Sequence, residues 1–231
     1  MIKIKKTNRT YKQVGTKLLP VYKIFIRENE TYSGTKDECD KFMHSLFNTS
    51  IIVVGPSPHL EGMNMGNKID KYDIVVRMNN SYTIKNHKDY GSRTDMIFIN
   101  KMWEKNNNKI LESLIKEYGE KNVILKKNLN ITKPEGYTQN TDASSNMGVL
   151  TILHLINEGF KNIDITGFSF YQNYPFYVKE HYENQKGMVL EGESHSQKVT
   201  VKEINELINL GYIKLLKDTQ QYFNIAKQKY L

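Results

Sequence analysis

The chain has 231 residues, 39% of them hydrophobic, one cysteine and a formal net charge of +8, with pI ≈ 9.2. That length suits one α/β domain with a full-sized core, and the lone Cys39 excludes an internal disulfide. Positive charge invites anionic partners, but the lysines are spread rather than clustered; this argues against nucleic acid and leaves phosphorylated or carboxylated small molecules or a membrane surface.

Residues 1–50 read as an N-terminal accessory segment of the same domain as 51–231, with a strand over Val21–Ile26, a turn at Gly34 and a helix near Asp37–Phe47. The N-terminus lacks the apolar stretch of a signal peptide, and no run of apolar residues is long enough to span a bilayer. Ile51-Ile52-Val53-Val54 is a β-branched run that delivers the chain to Gly55-Pro56-Ser57-Pro58, a buried strand entering a tight loop. Ile74-Val75-Val76 delivers Arg77-Met78-Asn79-Asn80, and Met96-Ile97-Phe98-Ile99 delivers Asn100. In open α/β sheets ligands sit beyond the carboxyl ends of parallel strands, so these three ends predict one nucleotide-binding rim. Any one of these turns alone is ordinary turn chemistry.

Further along, Trp103–Tyr118 has helical periodicity with Leu111, Leu114 and Ile115 on one face, and Gly119 ends it. Val123-Ile124-Leu125 predicts a strand, and the polar stretch Lys126–Thr141 a surface loop near the acceptor side. Ser144, Ser145 and Asn146 precede a helix running through Val149–Ile156, where free N–H groups favour an anion; Ile163-Asp164-Ile165 is a strand leading to Gly167. An amphipathic helix follows His195 through Glu203, Ile204, Leu207 and Ile208. Ile213, Leu215 and Leu216 predict a last strand, and Gln220–Leu231 a short basic helix that is either a peripheral contact with an anionic membrane or a solvated terminal helix. There is no Asp-x-Asp and no cluster with metal-ligand spacing, so no metal is expected.

From Gly55 to Asn79 the chain resembles, without a gap, the large sialyl motif of glycosyltransferase family 29. It supplies Gly55, Ser57, Leu60, Gly62, Gly66, Ile69, Asp70, Asp73, Val75, Arg77 and Asn79, then Asp89, Gly91, Ser92, Arg93 and Thr94. Asn146-Met147-Gly148 and Gly167-Phe168 occupy the places of Ser-Thr-Gly and Gly-Phe in the family's small motif, with Ser144 or Ser145 as stand-ins for the missing Ser-Thr pair. Gly148 to Asn173 is also similar to bacterial sialyltransferases of family 42, which implies that Tyr171 and Tyr177 bind the phosphate of a cytidine monophosphate leaving group. Glu180-His181-Tyr182-Glu183 resembles the third sialyl motif and implies a phosphate-binding histidine at His181. Gly192-Glu193-Ser194-His195-Ser196 resembles the last short motif of both families and implies His195 as the catalytic base. His44, His87 and His154 lack such context, and His59 lies only near the first loop.

The chain departs from family 29 in several places. Pro56 and His59 stand where the family has asparagines, Thr200 where it has a glutamate, with Glu203 coming later, and Ile51 where it has a bridging cysteine. The missing bridge and missing anchor point to a reducing cytosol.

The resemblance implies a Rossmann-like α/β domain with a mostly parallel sheet, a variant GT-A glycosyltransferase fold. It implies an inverting, metal-independent sialyltransferase that moves sialic acid from CMP-sialic acid to a hydroxyl of a glycan or glycolipid, with no cofactor. Gly55, Ser57, Asn79, Asn100, Ser145, Asn146, Gly148 and Gly167 would hold the nucleotide, Tyr171, Tyr177 and His181 its phosphate, and His195 would take the acceptor proton. A CMP-sugar leaves as a phosphate monoester, which phenol, imidazole and backbone donors can stabilise without a metal. Two further readings stand beside it: another CMP-sugar such as CMP-Kdo as donor, and an inactive nucleotide-sugar or carbohydrate-binding module.

Overall fold

The computed structural model describes residues 5–14, 17–27, 30–35, 38–39, 49–79, 81, 84–100, 108–119, 123–129, 131–141, 146–172 and 196–231. They belong to two compact units, Met1–Thr49 and Ser50–Leu231. The first holds a three-stranded antiparallel sheet of β1 (Lys5–Val14), β2 (Lys17–Arg27) and β3 (Glu30–Gly34). The strand predicted over Val21–Ile26 is part of β2, and Gly34 closes β3. Of the helix expected near Asp37–Phe47, Glu38 and Cys39 are helical and 40–48 lie outside the described residues. Its start is a capping box: Glu38 N–H donates to Thr35 Oγ1, and the Glu38 carboxylate accepts from Thr35 N and Oγ1 at 2.8 and 2.9 Å.

Among the described residues, the second unit is built on a six-stranded sheet in the order β7-β6-β5-β4-β8-β9. Its strands are β4 (Ile51–Val54), β5 (Ile74–Met78), β6 (Met96–Ile99), β7 (Val123–Leu125), β8 (Ile163–Thr166) and β9 (Ile213–Leu215). All five pairings are parallel, so this is a Rossmann-like sheet. Each strand coincides with a run read from the sequence. The reason is burial: residues of both parities in β4 are inaccessible to solvent, so both faces are covered and the strand is apolar throughout rather than alternating.

The intervening helices are α1 (Gly66–Ile69), α2 (His87–Tyr90), α3 (Asn108–Tyr118), α4 (Met147–Asn157), α5 (Gln197–Asn209) and α6 (Lys217–Tyr230). Leu114 of α3 joins Ile97, Ile99 and Val123 in one core cluster, with Leu111 and Ile115 packed against it, as the periodicity requires. The chain steps outward from β4 to β7, then returns past β4 to β8 and β9. Strand order therefore reverses between β4 and β8, and the crevice at such a reversal is where open α/β sheets take ligands.

Most polar residues between Asp70 and Thr94 are engaged in holding this floor together. Arg77, 3% exposed, donates from Nε to Thr94 Oγ1 and the Arg93 carbonyl, and from Nη2 to the carbonyls of Tyr90 (2.7 Å), Gly91 (3.2 Å) and Arg93 (3.1 Å). The Asp70 carboxylate accepts from Ser92 N, Ser92 Oγ and Arg93 N, each at 2.9 Å. Asp89 accepts from Gly62 N, Asn64 N and Asn86 Nδ2 at 2.7 to 2.8 Å, and Asp73 from Ser50 N and Oγ at 2.8 Å.

The Gly62 N–H leads the donors that hold Asp89 below the ordinary carboxylate range, and the Ser50 backbone N–H does so for Asp73. Burial raises Asp70, but the Ser92 and Arg93 donors and the Arg77 charge outweigh it and lower its pKa as well.

Two outcomes follow from this network. Arg77→Met deprives several carbonyls of their donor, so the urea midpoint should fall with an unchanged m-value, by the equivalent of about 2–4 kcal/mol. Because the folded-state pKa values of Asp70, Asp73 and Asp89 are depressed, their contribution is complete above the unfolded value of about 3.9 and is lost as pH falls through the folded values. Urea midpoints should therefore drop below about pH 4, and the drop should be shallower in Asp70→Asn/Asp89→Asn, which starts from lower stability at neutral pH.

Candidate functional site

Gly55 and Gly167 prolong the β4–β8 pairing beyond the strands: Gly55 N–H donates to Thr166 O at 2.8 Å and Ser57 N–H to Gly167 O at 3.1 Å. A Cβ on Gly55 would lie 2.2 Å from Gly167 O and 2.7 Å from the Phe168 ring, and one on Gly167 would lie 2.5 Å from Gly55 O. A Cβ on Gly148 would meet Phe168 at 2.6 Å. Phe168 thus touches both Gly55 and Gly148, bringing the start of α4 to the strand reversal. The space a side chain would take at these glycines is filled by protein, which accounts for them before any ligand is considered.

The other predicted rim residues also meet. Asn79 follows β5 with φ +48°, a conformation asparagine tolerates, and its Oδ1 accepts from Asn100 N at 3.1 Å, joining the ends of β5 and β6. Asn146 caps α4, its Oδ1 accepting from Gly148 N at 2.7 Å, while its Nδ2 donates to the Tyr171 hydroxyl. Tyr171 and its neighbour Phe170 both have positive φ, at 60° and 48°. Two consecutive non-glycine residues in that region are costly and mark a turn held by its surroundings. Ser57, Asn79, Asn100, Asn146, Gly148, Gly167 and Tyr171 therefore stand in or beside contacts at the carboxyl ends of β4, β5, β6 and β8. Ser145, Tyr177, His181 and His195 lie outside the described residues.

Helix α6 supports this rim from behind. The helix predicted over Gln220–Leu231 begins earlier, at Lys217, and its first turn carries Asp218. The Asp218 carboxylate accepts from Thr166 Oγ1 (2.9 Å), Gly167 N (3.0 Å), Thr219 Oγ1 (2.7 Å) and His59 Nε2 (3.0 Å). Burial pushes its pKa up, but the His59 ring, the Gly167 N–H and the two hydroxyls outweigh that and hold it at about 2. His59 Nδ1 lies 2.9 Å from Ser57 Oγ, and the imidazole stacks on Tyr222 with centroids 4.4 Å apart. Gln172 Nε2 donates to the Tyr222 carbonyl, Phe168 N to Thr219 Oγ1, and Phe170 packs on Phe223. Asp218 shows itself in sequence only as an acid in the first turn of a helix, and its partner His59 lies 159 residues away.

The loop over 131–141 is anchored rather than loose. Glu203, 1% exposed, accepts from Thr141 Oγ1 at 2.5 Å, and Glu206 accepts from Thr138 N and Oγ1 at 2.8 Å. Thr200, where the resemblance leads one to look for a supporting acid, is buried in α5, and Glu203 is committed to this loop. Among the described residues no group of three or more His, Cys, Asp or Glu side chains could hold a metal ion, and no helix is long and apolar enough to cross a membrane.

Comparisons with known proteins give one family match and several partial likenesses. A 51-residue stretch is 45% identical to a beta-1,6-galactosyltransferase of Arabidopsis thaliana; it spans 22% of this chain and 13% of the plant protein. Among solved structures, a mammalian sialyltransferase superposes with TM-score 0.46 at 14% identity, over 73% of this chain and 69% of the other. The sialyltransferase CstII from Campylobacter jejuni, in complex with the substrate analogue CMP-3FNeuAc, gives TM-score 0.46 at 15% identity over 72% and 78%. Residues 5–130 match glycosyltransferase family 29 (sialyltransferase). That match takes in more than half of the 231 residues, and the chain belongs to this family.

Proposed function

We propose that the protein is an inverting, metal-independent sialyltransferase that moves sialic acid from CMP-sialic acid to a hydroxyl of a glycan acceptor. The observation that carries this reading is family membership across the stretch that builds the rim, from Gly55 to Asn100. The nucleotide lies across the ends of β4, β5 and β8, against Ser57, Asn79, Asn100 and the start of α4 at Asn146 and Gly148. Tyr171, oriented by the Asn146 amide, acts with Tyr177 and His181 on the phosphate.

His195 takes the proton from the acceptor hydroxyl as that oxygen bonds to the anomeric carbon. The bond from that carbon to the phosphate oxygen breaks, its electron pair leaves with CMP, and the configuration inverts. Charge develops on a monoester, and phenols, imidazole and the helix N-terminus supply hydrogen bonds to it.

A second reading, transfer of a different sugar, is favoured by the 45% identical stretch shared with a galactosyltransferase and by Pro56 and His59 in the donor loop. CMP-Kdo is the acidic alternative donor and a galactosyl nucleotide the neutral one.

The deciding experiment measures nucleotide release with EDTA present from CMP-sialic acid, CMP-Kdo and UDP-galactose, by the parent chain and by His195→Ala. The expected result is CMP release that falls about 10²–10⁴-fold in the variant while donor binding persists. Weakened donor binding with normal turnover of bound donor would overturn the assignment of His195. UDP release from UDP-galactose would select the second reading. No release together with no calorimetric binding of CMP would sink the CMP-sugar proposal.

A further inference from the structure

Ser57, His59 and Asp218 form a continuous hydrogen-bonded line at the strand reversal, running from the loop after β4 to the first turn of α6. Ser57 Oγ is 2.9 Å from His59 Nδ1, and His59 Nε2 is 3.0 Å from Asp218 Oδ2. The line is buried: the side chains of His59 and Asp218 are 2% and 1% exposed, and Ser57 is 4% exposed. A carboxylate can only accept, so the ring hydrogen sits on Nε2 and points at Asp218. In the neutral ring Nδ1 is then an acceptor, and the hydrogen it accepts is the hydroxyl hydrogen of Ser57. Asp218 is itself fixed by Thr166, Gly167 and Thr219, and the Tyr222 stack fixes the plane of the ring.

A serine hydroxyl has one hydrogen and two lone pairs. In that neutral state of the ring the Ser57 hydrogen is committed inward and Oγ retains only acceptor capacity, and among the described residues no protein group donates to it. We propose that Asp218 and His59 are positioning residues that make Ser57 Oγ an obligate acceptor, so that it meets a hydroxyl or amino group of the donor's nucleoside and not a phosphate oxygen. The inference rests on the CMP-sugar reading above and adds to it the polarity of one contact. A phosphate oxygen facing this atom would set acceptor against acceptor, whereas a ribose hydroxyl or the cytosine amine supplies the missing hydrogen.

The test has two arms on the full chain. In the first, nitrogen-15 NMR of the parent protein reads the His59 ring directly. The expected pattern is a protonated Nε2 with an unprotonated, hydrogen-bonded Nδ1, disturbed in Asp218→Asn and lost in His59→Phe, which keeps a ring against Tyr222. A ring protonated on Nδ1 overturns the proposal whatever the donor is.

In the second, calorimetry compares CMP, cytidine, uridine, 2′-deoxycytidine and 3′-deoxycytidine on the parent and on Ser57→Ala. CMP and cytidine should weaken by the same factor, about tenfold, and Asp218→Asn should shift both in the same direction. The analogue lacking the contacted group should bind parent and variant alike, which separates the base amine from the ribose hydroxyls. A loss confined to CMP, with cytidine unaffected, would place a phosphate at Ser57 and overturn this inference while leaving the CMP-sugar reading standing. No binding of CMP or cytidine by the parent would overturn both.

Discussion

The backbones of β4 and β8 run so close at the end of their pairing that neither Gly55 nor Gly167 has room for a side chain. Much of the site follows from that approach. It brings the loop after β4 and the loop after β8 into a single surface, with the Phe168 ring wedged against Gly55 and Gly148, and it places the N-terminus of α4 next to both. The strand reversal is therefore a packed junction whose polar groups are distributed around its edge, at Asn79 with Asn100 on one side and Asn146 with Tyr171 on the other. Parallel strands expose unpaired groups at their carboxyl ends, and here the Asn79 side-chain amide takes up the Asn100 N–H that follows β6.

The most recognisable stretch of the chain turns out to divide its labour. Asp70, Asp73, Asp89, Arg77, Ser92 and Arg93 are spent on holding α1, α2 and the approach to β6 in place. Their geometry resembles a set of caps and clamps: carboxylates gather backbone N–H groups and guanidinium groups gather carbonyls. A motif can thus identify a family while most of its charged members are engaged in holding backbone. The remaining polar groups of the rim lie at strand ends and helix starts, on the loops that this framework presents.

The central strands β4 and β5 were legible because complete burial makes their apolar runs unbroken, and the rim was legible because the runs stopped in a glycine or an asparagine. The same local reading placed Asn146 at a helix start, where it is the cap. What stayed hidden depends on partners distant in sequence. His59 looked incidental beside its loop until Asp218 was brought to it from the far end of the chain. The polar stretch over 131–141 read as a surface loop, yet it is pinned because Glu203 and Glu206, one helical turn apart on α5, reach it. Periodicity and turn chemistry report on neighbours along the chain, and neither carries information about such pairings.

The late arrival of Asp218 also bears on how the protein is made. During synthesis the loop after β4 emerges long before α6, and 159 residues separate His59 from the carboxylate that orients it. Until α6 has emerged, the Gly167 N–H, the Thr166 hydroxyl and the His59 ring lack their common acceptor. A contact of such high sequence separation closes late. The nascent chain can stack its parallel strands while the crevice at the strand reversal stays unfinished, and the crevice is completed only when α6 packs against it.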